Sequence, residues 1–299
     1  MQDDDAGDGS PRPLGPPDAQ LTGRHTPWHA DARLSAMDSE RDGRASVRRT
    51  ERLAVILDAL AETGTVHVGD LATRFRVSHA TLRRDLALLE EQHLLTRTHG
   101  GALAQDVAYE LPVRYRDGQH REAQRRIAQI AASRIPTGPY AVGLSGGTTT
   151  SEVAKVLAER ADLTIVTNAL NIAMELTLRP RVRVIVTGGA ARSQSYELVG
   201  PWAEHTLAGI NIGTAIVGVD GISAAAGITT HDEIEARTNG AMLSKAQRVI
   251  VVADGSKIGR VMLAHIAPIT AVHEVVTDAS ADEREVELIR RAGVLVTVA

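Results

Sequence analysis

Residues 143–150 read GLSGGTTT, and their types admit two chemistries. Gly143, Ser145 and Gly147 match G-x-S-x-G, the strand-to-helix turn that presents a hydrolase's nucleophilic serine. The same stretch offers a phosphate cradle. Gly146 and Gly147 permit close backbone approach, Thr148, Thr149 and Thr150 add hydroxyls, and a helix starting there turns N–H groups and its positive dipole end toward an anion. A Walker A loop is excluded, because it needs lysine where this chain has threonine. A serine nucleophile needs a base and an orienting acid. Asp254 with His265 or His273 supplies the order Ser, Asp, His, an order easily met by chance among 11 histidines and 37 acidic residues. A nucleophile elbow also follows several strands of its sheet, whereas AVGLS is the first strand of its domain.

A second stretch carries chemistry for nucleic acid. SHATLRRD places Ser78 as an N-cap, and His79, Thr81, Arg83 and Arg84 fall on the outside or at the start of the helix it caps. Arginine and polar side chains at that end of a helix suit base edges and phosphates in the major groove. Arg97 and His99, beside the Gly100-Gly101 turn, suit adjacent DNA backbone. The competing reading makes Arg83, Arg84 and Asp85 an ordinary solvated face, and the surrounding elements decide against it.

Leu53, Ile56, Leu57 and Leu60 recur at helical spacing between Arg48 and Gly64. A short second helix runs through DLATRF. Leu82, Leu86 and Leu89 give the third helix its buried face, and HLLTRTHGGAL follows as a wing. This is the spacing of a winged helix-turn-helix. Residues 44–101 hold nine Arg against seven acids, about +2, whereas residues 1–43 hold four Arg against nine acids, about −5.

The rest of the chain alternates short β-rich runs (AVGLS, LTIVTN, VRVIVTGG, TAIVGVD, RVIVVAD, EVVTD) with helical segments such as SEVAKVLAERA. That alternation predicts a mostly parallel sheet covered by helices. The fold class is therefore α/β, with an N-terminal winged helix followed by a larger α/β domain. The expected divisions are a disordered Asp/Pro/Gly-rich tail over residues 1–43, a DNA-binding domain over 44–102, a linker and connecting helix over 103–135, and an effector-sensing domain over 136–299.

Composition narrows the classes. The chain has 299 residues, no cysteine and a formal net charge of −4. Disulfides, thiol nucleophiles and Cys-ligated metal are excluded. No apolar run approaches a membrane span and the first ten residues are acidic, so a cytoplasmic protein is expected. Seven aromatic residues disfavour a base-stacking single-strand binder, leaving double-stranded DNA as the target. His231, Asp232 and Glu233 stand side by side without the spacing to converge on one ion, and start a helix instead; no metal or cofactor is expected.

VHVGDLATRFRVSHATLRRDLALLEEQHLLTRTHGGA resembles the winged-helix domain of DeoR-family bacterial transcription regulators, and the resemblance continues through GGTTT, IVTNALNIA, VTGGAARSQSYELVGPWAEHTL, GVDGI and VVADGSKIGR. It implies a sensor domain related to ribose-5-phosphate isomerase and sugar-phosphate deaminases, a phosphorylated sugar effector, operator DNA as partner, and a homo-oligomer. Ser145 stands where the family commonly has Asp. Ile222 stands at the deaminases' catalytic histidine, which removes proton relay there. The resemblance gives Asp220 a sugar-hydroxyl role, against a turn role, and Lys257 in DGSKIG a phosphate contact. Asn168, Gly188, Gly189 and Gly221 complete the expected effector site. Asn168 also reads as a helix cap, and Gly188 and Gly189 as a plain turn.

Overall fold

The computed structural model describes residues 49–57, 59–60, 63–92, 94–104 and 120–299. The expected tail, residues 1–43, and residues 105–119 of the expected linker lie outside them.

The first helix, α1, runs through residues 49–57 and 59–60 and buries Leu53, Ile56, Leu57 and Leu60. It is followed by β1 (Thr65–His67), α2 (Val68–Phe75) and α3 (His79–Glu91). Leu82, Leu86 and Leu89 of α3 are fully buried and share one apolar core with the α1 residues and Leu71. Two more strands, β2 (Thr96–Arg97) and β3 (Gly101–Leu103), complete an antiparallel wing in the order β1-β3-β2. Its tightness depends on Gly101, where a Cβ would lie 1.8 Å from the Val66 carbonyl oxygen.

The larger body begins with α4 (Arg121–Ser133), whose Ile127, Ala128 and Ala131 are fully buried in that body's core. The helix expected in the connector is thus packed as part of the α/β body. In chain order there follow β4 (Tyr140–Leu144), α5 (Thr148–Leu157), β5 (Leu163–Thr167), α6 (Leu170–Thr177) and β6 (Arg183–Val186). A hairpin of β7 (Ala190–Ala191) and β8 (Leu198–Val199) leads to α7 (Pro201–Ala208) and β9 (Ile212–Val217). Then come β10 (Gly221–Ser223), β11 (Gly227–Thr230), α8 (Glu233–Ser244) and β12 (Ala246–Val252). The chain closes with β13 (Ala264–Ala267), β14 (Glu274–Thr277), α9 (Glu283–Arg291) and β15 (Leu295–Val298).

Seven strands form one sheet in the order β15-β14-β12-β9-β4-β5-β6, and every pairing in it is parallel. Apolar clusters cover both faces, which explains why runs such as VIVV, residues 249–252, are continuously apolar. A separate antiparallel sheet joins β10, β11 and β13.

One consequence of the strand order fixes the site. From β4 the chain builds outward to β5 and β6 on one side, and β9 then pairs with β4 on the other. The connections after β4 and β9 therefore diverge at the carboxyl ends of adjacent strands, and a crevice opens where the order reverses.

Candidate DNA-reading surface and effector cleft

Ser78 caps α3, its Oγ accepting the Thr81 N–H at 3.2 Å and lying 3.0 Å from Thr81 Oγ1. Both hydroxyls are thus engaged in holding the helix start. His79, Arg83 and Arg84 are exposed along the same helix. Asp85 is not part of a solvated face. It is 1% exposed, and its carboxylate accepts from Arg49 Nε at 3.1 Å and Arg52 Nε at 2.7 Å, which pins α3 to α1.

The wing is tied to the same helix. Glu90 accepts the Arg97 backbone N–H at 3.0 Å and Arg97 Nε at 2.6 Å. The backbone bond first, then the guanidinium, holds the Glu90 carboxyl below its ordinary value. A shallow cleft between α3 and the wing is lined by Arg83, Arg97 and His99, so these three predicted DNA contacts converge, with the Arg97 guanidinium set by Glu90.

The second site is a cleft at the crevice of the parallel sheet. The turn after β4 supplies Gly146, Gly147, Thr148 and Thr149; the turn after β9 supplies Gly218 and Asp220; the turn after β12 supplies Asp254 and Lys257. Gly147 caps α5 with φ +123°, a conformation that side-chain-bearing residues rarely adopt. With no side chain at the cap, none accepts from the N–H groups of the first helical turn, whose Thr148 and Thr149 line the cleft. Lys257 sits at the end of a short 3-10 turn capped by Asp254, with Nζ 3.7 Å from Asp220 Oδ1.

Other predicted residues stand around this cleft in different roles. Ser145 is fully buried beneath it, its Oγ accepting the Gly218 N–H at 3.0 Å and donating to the Gly146 carbonyl. Among described residues its hydrogen-bond partners are backbone. Asp254 accepts from Ser256 N, His273 Nδ1 accepts from Val249 N and His265 is exposed, so among the described residues Ser145 is joined to neither the acid nor a histidine. Thr150 turns back onto the Gly147 carbonyl at 3.0 Å. Asn168 does not line the cleft; its Nδ2 donates to Asn239 Oδ1 at 3.1 Å, and Asn239 Nδ2 in turn donates to Glu197 Oε2 at 3.1 Å. Gly188 and Gly189 turn the chain into β7, where a Cβ on Gly189 would meet the Val199 carbonyl at 2.7 Å. Gly221 lies in β10, packed against the Arg260 backbone. Gly189 and Gly221 thus serve close packing, Gly188 with φ +74° serves the turn, and none of the three lines the cleft.

The structure adds residues that sequence reasoning missed. Glu197 and Ser195 enter the cleft from the β7–β8 hairpin, and Glu235 enters from α8. Glu197 Oε1 accepts the Gly146 N–H at 2.5 Å. Burial lifts Glu197 well above the ordinary carboxylate range and the charge of Glu235 adds to the shift, opposed by the bonds from Gly146 and Asn239. Thr230 Oγ1 bridges Asp220 Oδ2 at 3.0 Å and Glu235 Oε1 at 2.7 Å, and Arg192 Nη1 pairs with Glu235 Oε2 at 3.1 Å. His231 Nδ1 lies 2.9 Å from Asp220 Oδ2, while Asp232 caps α8 by accepting from Ile234 and Glu235 N–H groups. His231 and Asp232 thus take different tasks, and Glu233 stands in the first turn of α8. Gln124 of α4, also buried, donates to Thr148 Oγ1 at 3.0 Å, which joins that helix to the cleft wall.

Residues 52–107 match the DeoR-like helix-turn-helix domain, and residues 119–279 match the DeoR C terminal sensor domain. The chain belongs to the DeoR family. A DeoR-family relative from Escherichia coli K12, the glycerol-3-phosphate regulon repressor, is 33% identical over 233 residues, covering 78% of this chain and 92% of that one. The transcriptional repressor AccR of Agrobacterium fabrum is 36% identical over 230 residues, with 76% and 89% coverage. The repressor GlcR of Bacillus subtilis is 31% identical over 247 residues, with 82% and 94% coverage. Among solved structures, ribose 5-phosphate isomerase A from Methanocaldococcus jannaschii aligns at 12% identity and TM-score 0.33 over 48% of this chain and 56% of that one, too little to bear on activity. This DeoR-family chain is a DNA-binding transcription regulator. No helix among the described residues is long and apolar enough to cross a membrane.

Proposed function

We propose that this regulator is a repressor whose operator affinity is set by a phosphorylated sugar bound in the cleft at the sheet's crevice. The observation that carries the reading is the meeting of Lys257 with the uncapped start of α5 in one cleft. An ammonium and a helix N-terminus facing the same space favour a phosphate through charge-assisted bonds and the helix dipole. The relatives named as repressors, one of them of a glycerol-3-phosphate regulon, support the same reading.

Readout of DNA falls to His79, Arg83 and Arg84 on α3, with Arg97 and His99 on the wing, while Ser78 and Thr81 hold the helix start. Half-sites are read by paired winged helices in a homo-oligomer. The cleft senses and does not catalyse. Ile222, at the place of the deaminases' catalytic histidine, is fully buried in an apolar cluster, and the hydrogen-bond partners of Ser145 among the described residues are backbone.

Thermal melting of the full chain with sugar phosphates, the matching unphosphorylated sugars and inorganic phosphate tests the cleft, because a ligand of the native state raises Tm by mass action. The expected result is a phosphate-dependent rise that Lys257→Ala removes, a loss of about 10- to 100-fold in affinity for a charge-assisted contact. Equal shifts with sugars lacking phosphate, or a shift indifferent to Lys257→Ala, overturn the reading.

A further inference from the structure

The cleft has a second wall that the phosphate reading leaves unused. Ser195 is 6% exposed and lines the cleft, yet its Oγ has no hydrogen-bond partner among the described residues. A buried hydroxyl left unmatched is unfavourable, so such a group in a ligand cleft points to a partner supplied from outside the chain. Beside it, on the same hairpin, Glu197 uses one lone pair on each carboxylate oxygen, accepting from Gly146 and Asn239, and each oxygen keeps further acceptor capacity. Glu235 and Asp220 bring more carboxylate oxygens to this wall, bridged by Thr230.

Ser195 and Glu197 sit on the loop between β7 and β8, away from the turns that carry Lys257 and the α5 start in sequence, and the cleft brings all of them to one space. Lys257 and the α5 start suit an anion, and the acids that adjoin them suit hydrogen-bond donors. We propose that Ser195, seated beside the Glu197 carboxylate, is a ligand-contacting residue that binds a hydroxyl of the effector, so that the cleft selects polyhydroxylated phosphate esters over alkyl phosphates of the same length. The hydroxyl of the ester gives Ser195 Oγ its missing partner and donates to, or accepts from, the acid wall as its geometry requires. The assignment rests on the phosphate reading above and adds the part of the site that reads the rest of the ligand.

The test compares three probe sets on the full chain by thermal shift and calorimetry: inorganic phosphate; glycerol 3-phosphate, ribose 5-phosphate, fructose 6-phosphate and glucose 6-phosphate; and propyl, pentyl and hexyl phosphates. The wild-type chain is expected to bind at least one hydroxyl-bearing ester at least tenfold more tightly than the alkyl phosphate of equal length. Ser195→Ala is expected to weaken that ester by about tenfold, the size of one hydrogen bond to a buried hydroxyl, while inorganic phosphate binds as before. Retained phosphate binding shows that the variant's cleft is intact. Alkyl phosphates binding as well as the esters, or Ser195→Ala leaving the ester unaffected, overturns the assignment while the phosphate cradle stands. Failure of every phosphorylated probe, inorganic phosphate included, overturns the cradle and this assignment together.

Discussion

Arg52 Nε donates to Asp85 Oδ2 at 2.7 Å, across the first and third helices of the winged helix. Asp85 follows Arg83 and Arg84 directly, so three adjacent charged residues divide between two tasks: two face outward and the third is buried as a tie.

Asp85→Asn should therefore destabilise the winged helix by about 2–3 kcal/mol, since removing one partner of a buried pair leaves the other uncompensated. Arg83→Ala should change stability by less than about 0.5 kcal/mol yet weaken operator binding by about tenfold. Urea melts and fluorescence anisotropy on a selected duplex separate the two. Equal stability of Asp85→Asn and wild type would contradict the assigned tie.

Gln124 donates to Thr148 Oγ1 on the cleft wall, and α4, which carries it, is the first described element after the winged helix. If cleft occupancy reaches the DNA-binding domain through this helix, Gln124→Leu should bind effector within about threefold of wild type but lose most of the coupling, which in such systems is roughly 5- to 150-fold. The readout is operator affinity with and without saturating ester. An undiminished ratio would rule out this route.

Burial raises the Glu197 carboxyl well above its unfolded value, and the sign of the consequence is fixed. Its contribution to stability is fully present below the unfolded glutamate value and is lost as pH rises through the raised folded value. Melting temperature should fall across that interval in the wild type, with a flatter dependence in Glu197→Gln. Parallel curves for the two proteins would count against a strongly raised Glu197.

Val66 and Gly101 give a backbone prediction. A methyl at position 101 would overlap the Val66 carbonyl oxygen, so Gly101→Ala should force β1 and β3 apart at a cost of about 2 kcal/mol or more. Hydrogen exchange at the wing amides should rise sharply. Gly100→Ala, where an added Cβ meets nothing within 4 Å, is the control.

Local signals carried much of this fold into the sequence. Leu82, Leu86 and Leu89 reported the buried face of α3, and runs such as RVIVV reported strands covered on both sides. The cradle was visible because Gly146 to Thr149 are contiguous. The acid wall was not, because Glu197 reaches Gly146 across 51 positions of sequence and only the pairing of β4 with β9 opens the crevice they share. Glu235 had a local explanation that hid it. It stands three residues after the cap Asp232, where a glutamate ordinarily completes a capping box, yet its side chain reaches Thr230 and Arg192. Asn168 directly follows β5, but the neighbour that decides its role, Asn239, lies 71 residues later on α8. Gly188 and Gly189 carried no local sign separating a turn from a ligand contact.

The central claim is that a phosphate ester in the cleft changes the protein's grip on DNA. It is tested most directly by measuring the affinity of the full chain for its selected operator duplex, at fixed salt, with and without a saturating ester that raises its Tm. The account predicts at least fivefold weaker operator binding with the ester, and no response in Lys257→Ala. Operator affinity unchanged by an ester that demonstrably binds would contradict it.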